Sequence, residues 1–295
     1  MHIPSESLFS LLTDVRTARP PPSNIPDFPQ LNWGDVLEIQ GPSGSGKTQL
    51  LYSFLALCIM PSPHGWGKAA VLFDTEGTFD ALNFRRVLLR AFSKSNMSAD
   101  VQRATTTCLG NLHVFFPASS AQLAASIAHL PAYHMQSHAD IGIVAVDTLS
   151  GFYWPDRFTA EQLRSIALAN NTTSLHHVFS ALQAFRASHR PVTILTNWGL
   201  TAEKSNQSPP IFYKQHLSSY PCFSATRSEG SHNDVPHNTS LPLTHHVTLN
   251  PTPTSFPPIY CGPSLPKEGG DGREVVGYIR RPGCSVGKFL VDIRV

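Results

Sequence analysis

The run Gly41-Pro42-Ser43-Gly44-Ser45-Gly46-Lys47-Thr48 holds the residue types that a phosphate chain requires, at the spacing G-x-x-x-x-G-K-[ST]. Its glycines let successive backbone N–H groups turn toward one anion, Lys47 reaches terminal phosphate oxygens, and the Thr48 hydroxyl offers a ligand to Mg²⁺. The run follows Val36-Leu-Glu-Ile39, which reads as a strand, and leads into a stretch from Gln49 to Met60 that is apolar around most of a helical circumference. A buried helix starting at the glycines aims its positive end at the anion. The expected chemistry is therefore nucleotide binding, ATP with Mg²⁺, along Gly41 to Gln49. A glycine-rich turn with a surface lysine is the plainer alternative, and the apolar flanks argue against it.

Three further residues fit the same chemistry. Asp147 ends the apolar run Ile141-Gly-Ile-Val-Ala-Val146, where a strand delivers a carboxylate to the Mg²⁺ shell. Such an aspartate also caps turns, and the P-loop upstream is what favours the metal role. Glu76 lies in Phe73-Asp74-Thr75-Glu76-Gly77-Thr78-Phe79, just past a second apolar run, and is the candidate to orient or activate water near a γ-phosphate. It reads equally as a turn glutamate before a helix starting near Asp80. Asn197 ends the strand Val192-Thr-Ile-Leu-Thr196 and either senses the γ-phosphate or forms an Asx turn, a choice the residues leave open.

The elements that must position these residues alternate. After the P-loop helix comes the strand Ala69-Ala-Val-Leu-Phe-Asp74, then a helix with Phe84, Val87, Leu88, Ala91 and Phe92 on one face and Arg85, Arg86 and Arg90 outside it. Leu112 to Phe116 is another strand, Ser119 an N-cap for a helix to Leu130, and Leu175, Val178, Phe179 and Leu182 mark one more helix. Strands repeatedly alternating with helices predict an α/β fold with a mostly parallel, doubly wound sheet. Val275 to Arg280 and Lys288 to Ile293 predict a closing antiparallel hairpin.

Four segments are expected: an extended Pro-rich arm over 1–30, an ATP-binding core over 31–199, Ser/Pro/His-rich loops around one strand over 200–275, and the hairpin over 276–295. Among 295 residues, 22 Lys and Arg against 20 Asp and Glu give a formal charge of +2, so no large electrostatic footprint for nucleic acid is visible. Five cysteines without a C-x-x-C pair suit a reducing compartment, and none of the 14 histidines has zinc-site spacing. No run is long and apolar enough to span a bilayer and no start resembles a signal peptide, so a soluble intracellular protein is expected.

The P-loop after a strand, Asp74-Thr-Glu-Gly-Thr-Phe79, the strand ending at Asp147 and Thr196-Asn197 resemble the RecA-type recombinase family in order and approximate spacing. Gly34 to Thr48, Cys58-Ile-Met-Pro61 and Val146 to Arg157 narrow the likeness to the recombinase paralogues, with Phe152-Tyr-Trp-x-Asp-Arg157 the specific part. The resemblance implies a RecA-like core and a role in homologous-recombination repair of DNA double-strand breaks. It also implies paralogue subunits as partners, single-stranded or branched DNA met directly or only through their complex, and a nuclear location. Catalysis would then rest on Lys47 and Glu76, and Mg²⁺ on Thr48 and Asp147.

Three departures qualify the likeness. Glu76 stands where the vertebrate relatives lack a glutamate, which favours hydrolysis in this chain. Trp198 follows Asn197 where recombinases usually carry glutamine, which puts γ-phosphate-coupled switching in doubt. The tract after it, in place of the family's second DNA-binding loop, holds few cations. The readings carried forward are a weak DNA-dependent ATPase, a non-hydrolysing structural adaptor, and a P-loop ATPase outside recombination.

Overall fold

The apolar runs that end at Gly41, Asp74, Asp147 and Trp198 lie side by side in one sheet of the computed structural model, which describes residues 21, 25–94, 101–137, 139–164, 174–203, 210–217, 241–250 and 273–293. Strands β1 (Val36–Gly41), β2 (Ala69–Asp74), β3 (Leu112–Phe115), β4 (Ile141–Asp147), β5 (Val192–Trp198) and β6 (His245–Asn250) run parallel to one another, and β6 pairs antiparallel with the strand that follows it. Strands β7 (Arg273–Arg280) and β8 (Gly287–Ile293) close the sheet as an antiparallel hairpin. The order is β3-β2-β4-β5-β1-β6-β7-β8. The expected α/β class, mostly parallel sheet and C-terminal hairpin are all present.

Parallel neighbours need crossovers, and helices supply those that link β1 to β5. These are α1 (Lys47–Ile59), α2 (Ala81–Lys94), α3 (Val101–Leu109), α4 (Ser120–Ala128), α5 (Leu130–Ser137), α6 (Tyr153–Arg164) and α7 (Ser174–His189), with a 3₁₀ turn, Leu149–Phe152, between β4 and α6. Alternate residues of each strand feed opposite cores. Leu37, Ile39, Leu72, Ala145 and Ile194 pack with Leu55 of α1 and Phe84 of α2. Val36, Val71, Val144, Val146 and Leu195 pack with Leu123 of α4 and Val178 of α7 on the other face. Each such side chain contributes about 1.5–3 kcal/mol by leaving water.

Ser119 caps α4 by accepting from Gln122 N at 3.1 Å, although that helix stops at Ala128 and a second one restarts at Leu130. Besides α5, which lies past the expected end at Leu130, two helices have no counterpart in the apolar periodicity. On α6, Trp154 and Phe158 point outward at 58% and 63% exposure, so no inward stripe marks it. On α3, Thr105, Thr106 and Thr107 each donate to the carbonyl four residues back, which lets poor helix formers remain in the helix. The expected 1–30 arm is described only at residues 21 and 25–30, and much of the 200–275 tract likewise lies outside the described residues. Among the described residues no helix is long and apolar enough to cross a membrane.

Candidate nucleotide site

β1 ends at Gly41, where a Cβ would lie 2.5 Å from Ser45 Oγ and 2.9 Å from the Leu249 carbonyl, so only glycine lets the chain turn there. Gly44 and Gly46 hold φ of 71° and 87°, the left-handed region that glycine enters without penalty. Between them they wrap residues 42–46 into a loop that opens directly into α1. Gly46 is the helix N-cap and supplies no side-chain acceptor, so no side chain caps the first-turn N–H groups. Gln49 belongs to that first turn. Pro42 O accepts from Ser45 N at 3.3 Å inside the loop, and Ser43 is exposed on its rim. The Ser45 hydroxyl is buried and lacks a partner among the described residues. An uncapped helix start, an orphaned hydroxyl and a cradle too tight for a Cβ fit a bound phosphate chain.

Lys47 folds back over this loop, donating from Nζ to Gly41 O at 3.0 Å and to Pro42 O at 2.8 Å. Burial pushes its pKa down, opposed by the nearby Asp147 and Glu76 carboxylates. An ammonium held only by carbonyls in a half-buried cleft is poised to move onto anionic oxygens.

The carboxylate of Asp147 accepts from Thr48 Oγ1 at 2.9 Å and from Thr196 Oγ1. Burial raises the Asp147 pKa, and these two hydroxyl bonds oppose the shift. Hydroxyl and carboxylate oxygens from the P-loop and from β4 are the donor set a hard cation such as Mg²⁺ takes. Thr196 was not singled out from the sequence. Strand alternation could have found it, since Ile194 faces the α1 core and Thr196 shares its face.

Glu76 sits on a turn built by Asp74, which accepts from Glu76 N at 3.2 Å, Gly77 N at 2.9 Å and Phe79 N at 2.7 Å. Thr75 ties this turn to the end of β4, donating to Thr148 O at 2.6 Å and accepting from Thr148 N at 3.0 Å. Gly151 makes room for it, because a Cβ there would stand 2.6 Å from Thr75 Oγ1 and 3.5 Å from Glu76 Cγ. The Glu76 pKa is raised by partial burial and by Asp147, and a hydrogen bond from the Trp198 side chain opposes the rise.

Asn197 does not join this group. It is fully buried and donates to Glu38 Oε1 at 3.3 Å and Gln215 Oε1 at 3.2 Å, while its own oxygen accepts from Ser150 Oγ. Since Thr196 bonds Asp147 on the P-loop side, alternation turns Asn197 to the opposite face and brings Trp198 back beside Gly41, its register partner on β1. The structure thus gathers Gly41 to Thr48, Glu76 and Asp147 at one end of the sheet, adds Thr196 and Trp198, and leaves Asn197 behind them.

No protein-family model matches the chain. The DNA repair protein XRCC2 of Mus musculus is 33% identical over 176 residues, covering 59% of this chain and 60% of the mouse protein. The chain is XRCC2-like. The DNA repair protein XRCC2 homolog of Arabidopsis thaliana is 23% identical over 225 residues, covering 63% of this chain and 59% of the plant protein. Each XRCC2 match therefore spans less than two thirds of the relative's length. The resemblance to recombinase paralogues, carried in the sequence by Phe152 to Arg157, is borne out, and the sheet described above is consistent with the RecA-like fold of XRCC2. In this XRCC2-like chain Phe152 is buried, Asp156 accepts from Ser120 Oγ at 2.8 Å, and Arg157 donates to Tyr153 Oη at 3.0 Å and Glu161 at 3.0 Å.

Proposed function

We propose that this chain binds Mg²⁺-ATP on the Gly41 to Thr48 loop and serves as a recombinase-paralogue subunit in homologous-recombination repair of DNA double-strand breaks, in the nucleus. One observation carries the reading: the uncapped α1 terminus, Lys47, the Thr48–Asp147 pair and Glu76 all meet at the same end of the sheet. The likeness to two XRCC2 proteins supports the repair role and partners among other paralogues. DNA, single-stranded or branched, is met through that assembly.

In this reading Lys47 exchanges the carbonyls of Gly41 and Pro42 for phosphate oxygens. Thr48 and Asp147 hold the metal, and Mg²⁺ when bound spreads charge away from those oxygens. Glu76 orients water on the side of the cleft facing Asp147. A second reading, a subunit whose nucleotide stabilises the fold and an interface with little turnover, is favoured by Asn197 lying away from the cleft. A ligand that binds only the folded chain stabilises it whether or not it is hydrolysed.

The test measures ATP affinity and turnover for wild type and Glu76→Gln, with and without single-stranded DNA. DNA-stimulated turnover lost in Glu76→Gln at unchanged affinity is the expected result. Tight binding without turnover in either protein leaves the adaptor, and turnover indifferent to DNA points to a P-loop ATPase outside recombination. No binding by the wild type overturns the nucleotide site.

A further inference from the structure

We infer that a cavity of about 410 Å³ lined by Trp33, Gly34, Arg186, Ala187 and Arg190 is a separate anion site, built for a phosphate monoester that carries a flat ring. It lies at the N-terminal ends of β1 and β5, about 20 Å along the strands from the P-loop, and does not depend on the nucleotide reading above.

Two guanidinium groups converge there. A Cβ at Gly34 would stand 3.8 Å from Arg190 Nε and 3.9 Å from Arg186 Nη2, so both cations flank one bare stretch of backbone. Arg186 is clamped, its Nε donating to Gly34 O and its Nη1 to Gln183 Oε1 at 3.2 Å, which leaves Nη2 on the cavity side. Burial pushes the Arg186 pKa down; Asp35 opposes the shift and Arg190 adds to it. Asp35 is itself engaged, accepting from Asn32 N at 2.7 Å with His245 Nδ1 3.8 Å away. The Arg190 guanidinium has no hydrogen-bond or ion-pair partner among the described residues.

Cations at the end of α7 also complement the helix dipole, a role that Arg186 and His189 in its last turn already fill. That role does not account for the backbone at Arg190. Its N–H caps Arg186 O at 2.9 Å and its φ is 52°, the left-handed position that glycine takes without strain at helix ends. An arginine held in that conformation brings its guanidinium over Gly34. Paired guanidiniums suit phosphate oxygens, which each can grip with two parallel N–H donors. Trp33 supplies an apolar wall, packed edge to face on Trp66 at 5.3 Å between ring centres, with Lys68 Nζ 4.6 Å from its ring and paired to Asp140 at 2.5 Å. The space exceeds a bare phosphate and falls within the range of about 300–1,000 Å³ of small-molecule sites, so the part beside the indole takes a ring.

The experiment titrates phenyl phosphate and inorganic phosphate into the full chain as wild type, Lys47→Ala, Arg190→Gly and Arg190→Gln, reading binding heats and the Trp33 indole N–H resonance. Lys47→Ala separates this cavity from the P-loop. Phenyl phosphate is expected to move the Trp33 resonance equally in wild type and Lys47→Ala, and to bind about tenfold more tightly than inorganic phosphate. Both Arg190 variants are expected to bind it about tenfold more weakly, with Arg190→Gly melting no lower than wild type because glycine relieves the turn. Binding lost in Lys47→Ala and kept in the Arg190 variants would put the phosphate on the P-loop and overturn the site, as would no binding by wild type or an unmoved Trp33 resonance at saturation. Equal affinity for the two probes would overturn the ring, and a clearly lower melting temperature in Arg190→Gly would show the arginine kept for the fold rather than for an anion.

Discussion

The Thr48 hydroxyl donates to the Asp147 carboxylate at 2.9 Å across 99 residues of chain, joining the first turn of the P-loop helix to the end of β4. The pair holds together the two oxygen groups that the proposed metal site requires, and it does so at a cost. Asp147 is buried, and desolvation raises its pKa despite the hydroxyls of Thr196 and Thr48. A carboxyl whose folded pKa lies above its unfolded value binds more protons when folded. Stability then falls as pH rises from the unfolded pKa through the folded one.

Asp147→Asn is accordingly expected to leave the metal-free chain at least as stable as wild type at neutral pH, with the advantage shrinking as the pH approaches the ordinary carboxylate range. The same substitution is expected to abolish Mg²⁺-dependent strengthening of ATP binding. Thermal melts from pH 4 to 8 without divalent ions, paired with calorimetric titrations of ATP with and without Mg²⁺, check both. A metal-free chain clearly destabilised at pH 7 by Asp147→Asn would mean that the carboxylate is structural rather than held ready for a cation.

Gly151 offers a second test, of the Glu76 turn. An alanine Cβ there would stand 2.6 Å from Thr75 Oγ1, which in turn bonds Thr148. The Thr75 side chain has no slack, because its hydroxyl both donates and accepts, so the turn must shift. Gly151→Ala is expected to cost about 1–3 kcal/mol of stability by overpacking. Chemical denaturation measures that cost, and ATP turnover is expected to fall more than ATP affinity, since the side chains that a Cβ at Gly151 would meet first are those of Thr75 and Glu76. Equal losses in both would place the effect in the fold rather than in the placement of Glu76.

The P-loop was legible because its chemistry is written in consecutive residues, and Asp147 because that upstream P-loop gives a strand-end aspartate a metal role, although β2 ends in Asp74 in the same way. Thr196 and Trp198 were legible in principle. They share the strand face of Ile194, yet in the sequence Thr196 stands only as the neighbour of Asn197, and Trp198 only as a departure from glutamine. A polar residue at a strand end faces the cleft only if its parity agrees, and that of Asn197 does not. Helix α6 escaped because its large apolar residues, Trp154 and Phe158, face outward, and helix α3 because its threonines satisfy themselves on their own backbone. The place of β6 beside β1 is a matter of register between segments some 200 residues apart, sealed by Thr244 Oγ1, which donates to Val36 O and accepts from Val36 N, both at 2.9 Å. Periodicity within a segment carries no information about such pairing.

β6 also brings a histidine into the sheet, and the acid stability of the chain follows from it. His246 is buried, with Nε2 3.1 Å from Gln40 Oε1 and 3.5 Å from Glu38 Oε2, while Nδ1 accepts from Arg280 Nε at 3.3 Å. The nearness of Glu38 suggests an ion pair, but burial and the Arg280 charge win, lowering the His246 pKa to about 3 and keeping the ring neutral. Nδ1 acting as acceptor for Arg280 agrees with the neutral form. A histidine whose folded pKa is depressed contributes stability that is fully present above its unfolded pKa, near 6.5, and is lost as the pH falls from there toward the folded value. Wild type is thus expected to lose up to about 1.4 kcal/mol per pH unit below pH 6.5 from this residue alone. His246→Gln, which retains polar atoms toward Gln40 and Arg280, is expected to be destabilised at pH 7.5 by about 1–3 kcal/mol and to lose less further stability than wild type between pH 7 and 5. Urea midpoints for both proteins across that range read the difference in slope. Parallel curves would show that His246 titrates alike in the folded and unfolded chain, and a wild type that gains on His246→Gln as the pH falls would show it protonated on Glu38, reversing the charge assigned to this corner of the sheet.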